Sequence, residues 1–106
     1  MPLRFYVCET HDVPNEGFKS FDVDGLAFPI VLAWFDDELF ATSGICPHED
    51  ISFDGGSLVG EHLICPGHGY SFSLKTGECS HDASIRLSPY RVEQEHSKIY
   101  VILSNF

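Results

Sequence analysis

The apolar residues of this chain come in short runs broken by turn-forming residues, and that punctuation is what most constrains the fold. Residues 3–8 are rich in β-formers and give way to His11-Asp12-Val13-Pro14-Asn15-Glu16-Gly17, a stretch of turn chemistry. Residues 18–23 alternate imperfectly as a strand, and Asp24-Gly25 reads as a tight hairpin turn. Residues 26–35 are apolar throughout. Pro29 interrupts any helix there, so a buried strand with an edge or bulge at the proline is expected. Asp36-Asp37-Glu38 turns the chain back into a strand over 39–42. Further on, 57–59 and 62–64 flank Gly60-Glu61 as a small hairpin, and 70–74 precede a Lys75-Thr76-Gly77 turn. Residues 89–94 and 99–103 flank Glu95-His96-Ser97-Lys98 as a last hairpin. Such a chain is expected to be all-β, a sandwich or barrel of antiparallel sheets.

With 106 residues the chain fits one domain with one modest core. No apolar run approaches the roughly 18 residues a membrane span needs, and the first residues lack the pattern of a secretory signal. A cytoplasmic protein without membrane contact is expected. Sixteen acidic residues against six basic ones give a net charge of −10. That balance argues against nucleic acid, whose binding rests on Lys and Arg neutralising phosphates. It favours a basic protein partner; it equally serves a small protein that only needs to stay in solution.

The middle of the chain, Gly-rich from about Ser43 to Ser84, holds the residues that carry chemistry. Cys46-Pro47-His48 is followed after 16 residues by Cys65-Pro66-Gly67-His68. Each pair puts two ligands on one tight loop. Pro47 and Pro66 stiffen the loops, while Gly67 and Gly69 let backbone amides approach sulfur. With no Asp or Glu inside either pair, the donor set suits iron–sulfur or zinc rather than calcium or magnesium. Zinc is the competitor, but its Cys2His2 sites hold two to four residues between cysteines and three to five between histidines. The mixed Cys/His order fits a two-iron cluster, one iron on thiolates and the other on imidazoles. Of the other cysteines, Cys8 sits in an apolar stretch as a buried small hydrophobe, and Cys79, near only His81, reads as a spare thiol.

The motif Cys-x-His, 16 residues, Cys-x-x-His resembles that of Rieske [2Fe–2S] proteins, and all four ligands, Cys46, His48, Cys65 and His68, match it. The likeness extends to Asp12-Val13-Pro14 with Gly17, Phe40-Ala41, Gly55-Gly56-Ser57-Leu58 and Lys75-Thr76-Gly77, so it covers nearly the whole chain. It implies that Cys46 and Cys65 hold one iron while His48 and His68 hold the other. It also implies a Rieske-like fold in a single domain, 1–106. The base would span about 1–42 and 85–106, with a cluster-binding subdomain inserted at about 43–84.

Two ferric ions, two sulfides, two thiolates and two neutral imidazoles sum to zero, and one-electron reduction gives −1. An all-thiolate cluster starts at −2. Imidazole ligation therefore raises the potential, to about −150 mV or higher against about −400 mV for plant-type clusters. High-potential Rieske proteins add a loop disulfide, at positions that here hold Ile51 and Gly67. They also place Ser and Tyr hydroxyls near sulfur, where this chain has Tyr70 and Phe72. Fewer donors, with Ser71 still able to donate, imply a low-potential centre.

That profile resembles the ferredoxins of multicomponent aromatic-ring oxygenases. It implies a one-electron carrier, not an enzyme, between an NAD(P)H-dependent flavin reductase and a terminal oxygenase, with a monomer expected. The remaining histidines, His11, His62, His81 and His96, offer no spacing for an oxygenase's second iron site. A rival reading is the small Rieske-like subunit of an assimilatory nitrite reductase; another is a structural zinc module. Relatives often carry a proline where this chain has Cys79-Ser80-His81-Asp82, in the loop that covers the cluster. At the tip, Pro66, Ile51 and Tyr70 are expected as an apolar collar ringed by Glu49, Asp50 and Asp54.

Overall fold

The computed structural model describes residues 3–47, 50–67 and 69–103. Among them run β1 (Leu3–Glu9), β2 (Phe18–Phe21), β3 (Ile30–Phe35), β4 (Glu38–Ser43), β5 (Ile45–Cys46) and β6 (Ile51–Ser52). β7 (Ser57–Val59), β8 (His62–Ile64), β9 (Ser71–Ser73), β10 (Pro89–Glu95) and β11 (Lys98–Leu103) follow. The one helical piece among the described residues is a 3-10 turn, Thr10–Asp12. No described helix is long and apolar enough to cross a membrane.

Six strands form an antiparallel sheet in the order β1-β11-β10-β4-β3-β2. β5 and β6 make a two-stranded ribbon, and β7-β8-β9 make a third sheet. The all-β expectation holds. So do the hairpins across Asp36-Asp37, Gly60-Glu61 and His96-Ser97. In the first and last, both turn residues have positive φ, 54° and 60° at Asp36 and Asp37 and 52° and 66° at His96 and Ser97. That is the turn whose twist matches the flanking strands.

The Asp24-Gly25 expectation is corrected. The β2–β3 register pairs Phe21 with Ile30, so the connection spans residues 22–29 and is no tight hairpin. Pro29 lacks an N–H and cannot enter the ladder; its carbonyl instead accepts the Gly44 N–H at 2.8 Å, and the strand starts one residue later.

The buried strand expected over 26–35 is corrected at its start, since residues 26–29 lie in the connection, half-buried or exposed, and β3 accounts for the continuous apolar run only from Ile30 on. Ile30 and Leu32 enter one buried cluster with Val7, Cys8, Ile99 and Val101, whereas Val31 and Ala33 enter a second with Cys46, Phe53, Leu63, Cys65 and Phe72. A strand buried on both faces has no polar side to display. In β1 a register shift between Tyr6 and Cys8 puts Val7 and Cys8 both inside, breaking the alternation as a bulge does.

Candidate metal centre

The second buried cluster lies beneath two loops of the same build. β5 ends on Cys46, which faces Ile51 across the ribbon, and the Asp50 N–H donates to the Cys46 carbonyl at 2.8 Å. At the end of β8, the Cys65 N–H donates to the Tyr70 carbonyl at 2.8 Å and the Gly69 N–H donates to the Cys65 carbonyl at 3.1 Å. In each loop, then, the cysteine accepts from the residue four places on and is paired across the loop with the residue five places on. The residue four places on has positive φ in both, 55° at Asp50 and 71° at Gly69.

Neighbouring contacts hold the loops in place. The first is hung from β3 and β4, because the Gly44 carbonyl accepts the Phe53 N–H at 3.0 Å. Gly56 lets the two approach. A Cβ there would overlap the Ile64 carbonyl oxygen and lie 3.2 Å from Pro66 Cδ, so no larger residue fits without movement. Phe53 and Phe72 meet edge to face beneath, with ring centroids 5.9 Å apart at 88°.

Burial changes abruptly along each loop. Cys46 is 0% exposed and Cys65 1%, yet the next residue in each case, Pro47 or Pro66, is exposed. Two buried thiols at the bases of paired loops, with no disulfide among the four cysteines, fit a group taking sulfur donors from inside and further donors from the loop tips. His48 and His68, together with Glu49, lie outside the described residues. Among the described residues no three His, Cys, Asp or Glu side chains gather as a metal site. Of the expected collar, Ile51 and Tyr70 are half-buried and Pro66 is exposed, as are Asp50 and Asp54.

The other two cysteines part company. Cys8 belongs to the first cluster, away from the loops, and burial pushes its thiol up to about 11. Such a thiol stays protonated and makes a poor ligand. Cys79 is buried in the same cluster as Cys46 and Cys65 and bridges to Phe72. Two residues on, the His81 ring stacks on Tyr70, centroids 5.1 Å apart and 19° between planes. The spacing of Cys79 and His81 drew attention to this segment in the sequence; the partner did not show, because only the pairing of residues 79–80 with β9 brings it there.

The sequence profile of the Rieske [2Fe-2S] domain matches residues 4–91. The 3-phenylpropionate/cinnamic acid dioxygenase ferredoxin subunit of Shigella boydii serotype 4 is 32% identical over 94% of this chain and 93% of its own. A chain from the complex of reduced oxygenase and oxidized ferredoxin in carbazole 1,9a-dioxygenase superposes with a TM-score of 0.78 at 29% identity, covering 92% of this chain and 91% of that one. A protein described as an NADH-dependent nitrite reductase small subunit from Mycobacterium tuberculosis gives 0.84 over 100% of this chain and 99% of that chain; at 15% identity that likeness concerns the fold alone. Because the profile runs through both cysteine loops and most of the strands around them, the chain belongs to the Rieske [2Fe-2S] domain family and carries one cluster of that type.

Proposed function

We propose that this chain is a one-electron carrier between an NAD(P)H-dependent flavin reductase and a terminal aromatic-ring oxygenase. In this reading Cys46 and Cys65 bind one iron of the cluster and His48 and His68 the other. Residues 43–84 form the cluster-binding unit on a base made by 1–42 and 85–106. The observation that carries the reading is the placing of two fully buried thiols in one apolar cluster, each at the foot of a loop of the same build. The cluster supplies a reversible one-electron couple. Cys46 and Cys65 would hold it at the edge of the core, where Phe53, Leu63 and Phe72 pack in the same buried cluster and exclude water.

Dioxygenase ferredoxin subunits at about a third identity support the oxygenase setting. The protein partner fits a surface of net charge −10, with Asp50 and Asp54 exposed beside the loops. A single chain would offer the same tip to reductase and oxygenase in turn. Phe72, wholly buried, brings no hydroxyl to sulfur, which supports a potential near the low end of the Rieske range.

The test is chemical and spectroscopic. Freshly purified, anaerobically handled protein should contain two irons and two acid-labile sulfides, with a Rieske-type electron paramagnetic resonance signal on reduction. Cys46→Ser or Cys65→Ser should abolish both. Zinc in place of iron, or a clearly positive midpoint in a redox titration, contradicts the reading. The nitrite reductase alternative rests on the shared fold; reduction by a flavin reductase and onward transfer to a ring oxygenase, measured in a reconstituted chain, separates the two.

A further inference from the structure

The segment after Gly77 returns along β9. The Ser73 N–H donates to the Glu78 carbonyl at 3.0 Å, the Ser80 N–H donates to the Ser71 carbonyl at 2.9 Å, and Phe72 bridges to Cys79. This pairing carries His81 to the side of the second cysteine loop. There its ring lies flat on Tyr70, and its Nδ1 accepts the Ser71 N–H at 3.4 Å. Its own backbone N–H points at Cys79 Sγ, also at 3.4 Å. Tyr70 is the residue whose carbonyl closes that loop by accepting the Cys65 N–H.

We infer that His81 is a positioning residue for the second cluster loop, a clasp that holds the Tyr70-Ser71 end of that loop against the 79–82 segment by a ring stack and by the Ser71 N–H donating to its Nδ1. The inference rests on the reading that Cys65 and His68 are ligands. Three features carry it. The two contacts fall on consecutive residues, Tyr70 and Ser71, immediately after the loop. His81 is itself exposed, so it is held by these contacts and not by burial in the core. And Cys79, whose Sγ accepts the His81 N–H, is buried in the same cluster as Cys46 and Cys65. A side chain that touches no metal but fixes the backbone beside a ligand acts on metal retention and on the cluster's electronic signature.

The test uses cluster-loaded protein and three substitutions. His81→Ala removes ring and acceptor, His81→Phe keeps a ring over Tyr70, and His81→Asn keeps an acceptor for the Ser71 N–H. Iron release to an excess of chelator, followed by visible bleaching well below the melting temperature, should be about tenfold faster in His81→Ala, the lower end for loss of one outer-shell partner. His81→Phe and His81→Asn should each recover part of the loss, and the reduced-state paramagnetic signal should shift in His81→Ala. Equal release rates and unchanged signals in all three overturn the inference, as does acceleration that merely tracks melting temperature across the series. A wild-type protein without iron and sulfide would instead bring down the ligand reading, and the clasp with it.

Discussion

Phe72→Ala tests whether the apolar layer beneath the loops sets both stability and cluster retention. Phe72 is 0% exposed and packs edge to face on Phe53, itself 0% exposed, in the cluster that contains Cys46 and Cys65. Truncating a buried Phe costs about 3–5 kcal/mol in lost transfer energy and residual cavity. A domain of this size holds about 5–15 kcal/mol in total. At about 4–8 °C per kcal/mol, melting should fall by roughly 12–40 °C. Far-ultraviolet circular dichroism and visible absorbance, followed together through urea, should lose their signals in one transition, because one set of residues serves both. Phe53→Leu, Phe72→Leu and the double variant isolate the ring pair, whose coupling should be about 0.5–1.5 kcal/mol. A loss below about 2 kcal/mol in Phe72→Ala, or cluster bleaching that precedes unfolding in wild type, would refute this account of the layer.

Gly56→Ala should loosen the cluster and cost about 1–3 kcal/mol, because its methyl meets the backbone of Ile64; Gly60→Ala, at φ 60° with open space around it, should cost only backbone strain of about 1–2 kcal/mol and leave iron content unchanged. Iron per chain after gel filtration compares the two. Cys8 is buried with its thiol raised from 9.0 to about 11, so the stability it contributes is complete below pH 9.0 and disappears as pH rises through about 11. Urea midpoints at pH 8 and pH 11 should show a decline that Cys8→Ala lessens, and parallel declines would count against the burial argument. Tyr6 donates to Glu9 at 2.6 Å, which raises the phenol to about 12 and holds the Glu9 carboxyl below its usual range. That contact should therefore fail at both extremes, as alkali ionises Tyr6 and as acid protonates Glu9, and Tyr6→Phe should flatten both limbs of the stability profile. Asp50 has φ 55°, so Asn is its least strained neutral replacement. Asp50→Asn with Glu49→Lys should slow electron delivery and weaken its salt dependence, and unchanged stopped-flow kinetics would remove the acidic patch from the docking surface.

Turns whose residues state their own conformation were legible in the sequence. Gly60-Glu61 and the polar residues around His96-Ser97 mark hairpins locally, and the strands they join fall where the apolar runs are. Where geometry depends on distant chain, the sequence was silent. Asp24-Gly25 does turn the chain, the Leu26 N–H donating to the Val23 carbonyl at 3.1 Å, but β2 and β3 first pair at Phe21 and Ile30, well outside that turn. The β1 bulge at Val7 is a negotiation with β11. The β5–β6 ribbon, two pairs long, was not expected at all, since it depends on Gly44 meeting Phe53. The four ligand candidates stood out by spacing. The residues around His81 stood out, but its stack on Tyr70 did not, because only the pairing of residues 79–80 with β9 brings the two rings together.

The common build of the two loops bears on why their histidine spacings differ. Pro47 and Pro66 occupy the same place, one after the cysteine, and Asp50 and Gly69 the same place with positive φ, four after it. Cys46 and Cys65 are therefore equivalent within their loops, buried to the same degree. The histidines are not, since His48 stands two places after its cysteine and His68 three. With the proposed ligand set, equivalent frames would thus deliver sulfur from matched sequence positions and nitrogen from unmatched ones. Glycine on both sides of His68, at Gly67 and Gly69, gives the second loop the backbone freedom that a displaced ligand requires, whereas the first has Pro47 and Glu49 around His48. In that reading the asymmetry of the donor set lies in where the histidines stand in sequence after matched cysteines, and the apolar layer of Phe53, Leu63 and Phe72 under both loops keeps the cysteine ends together.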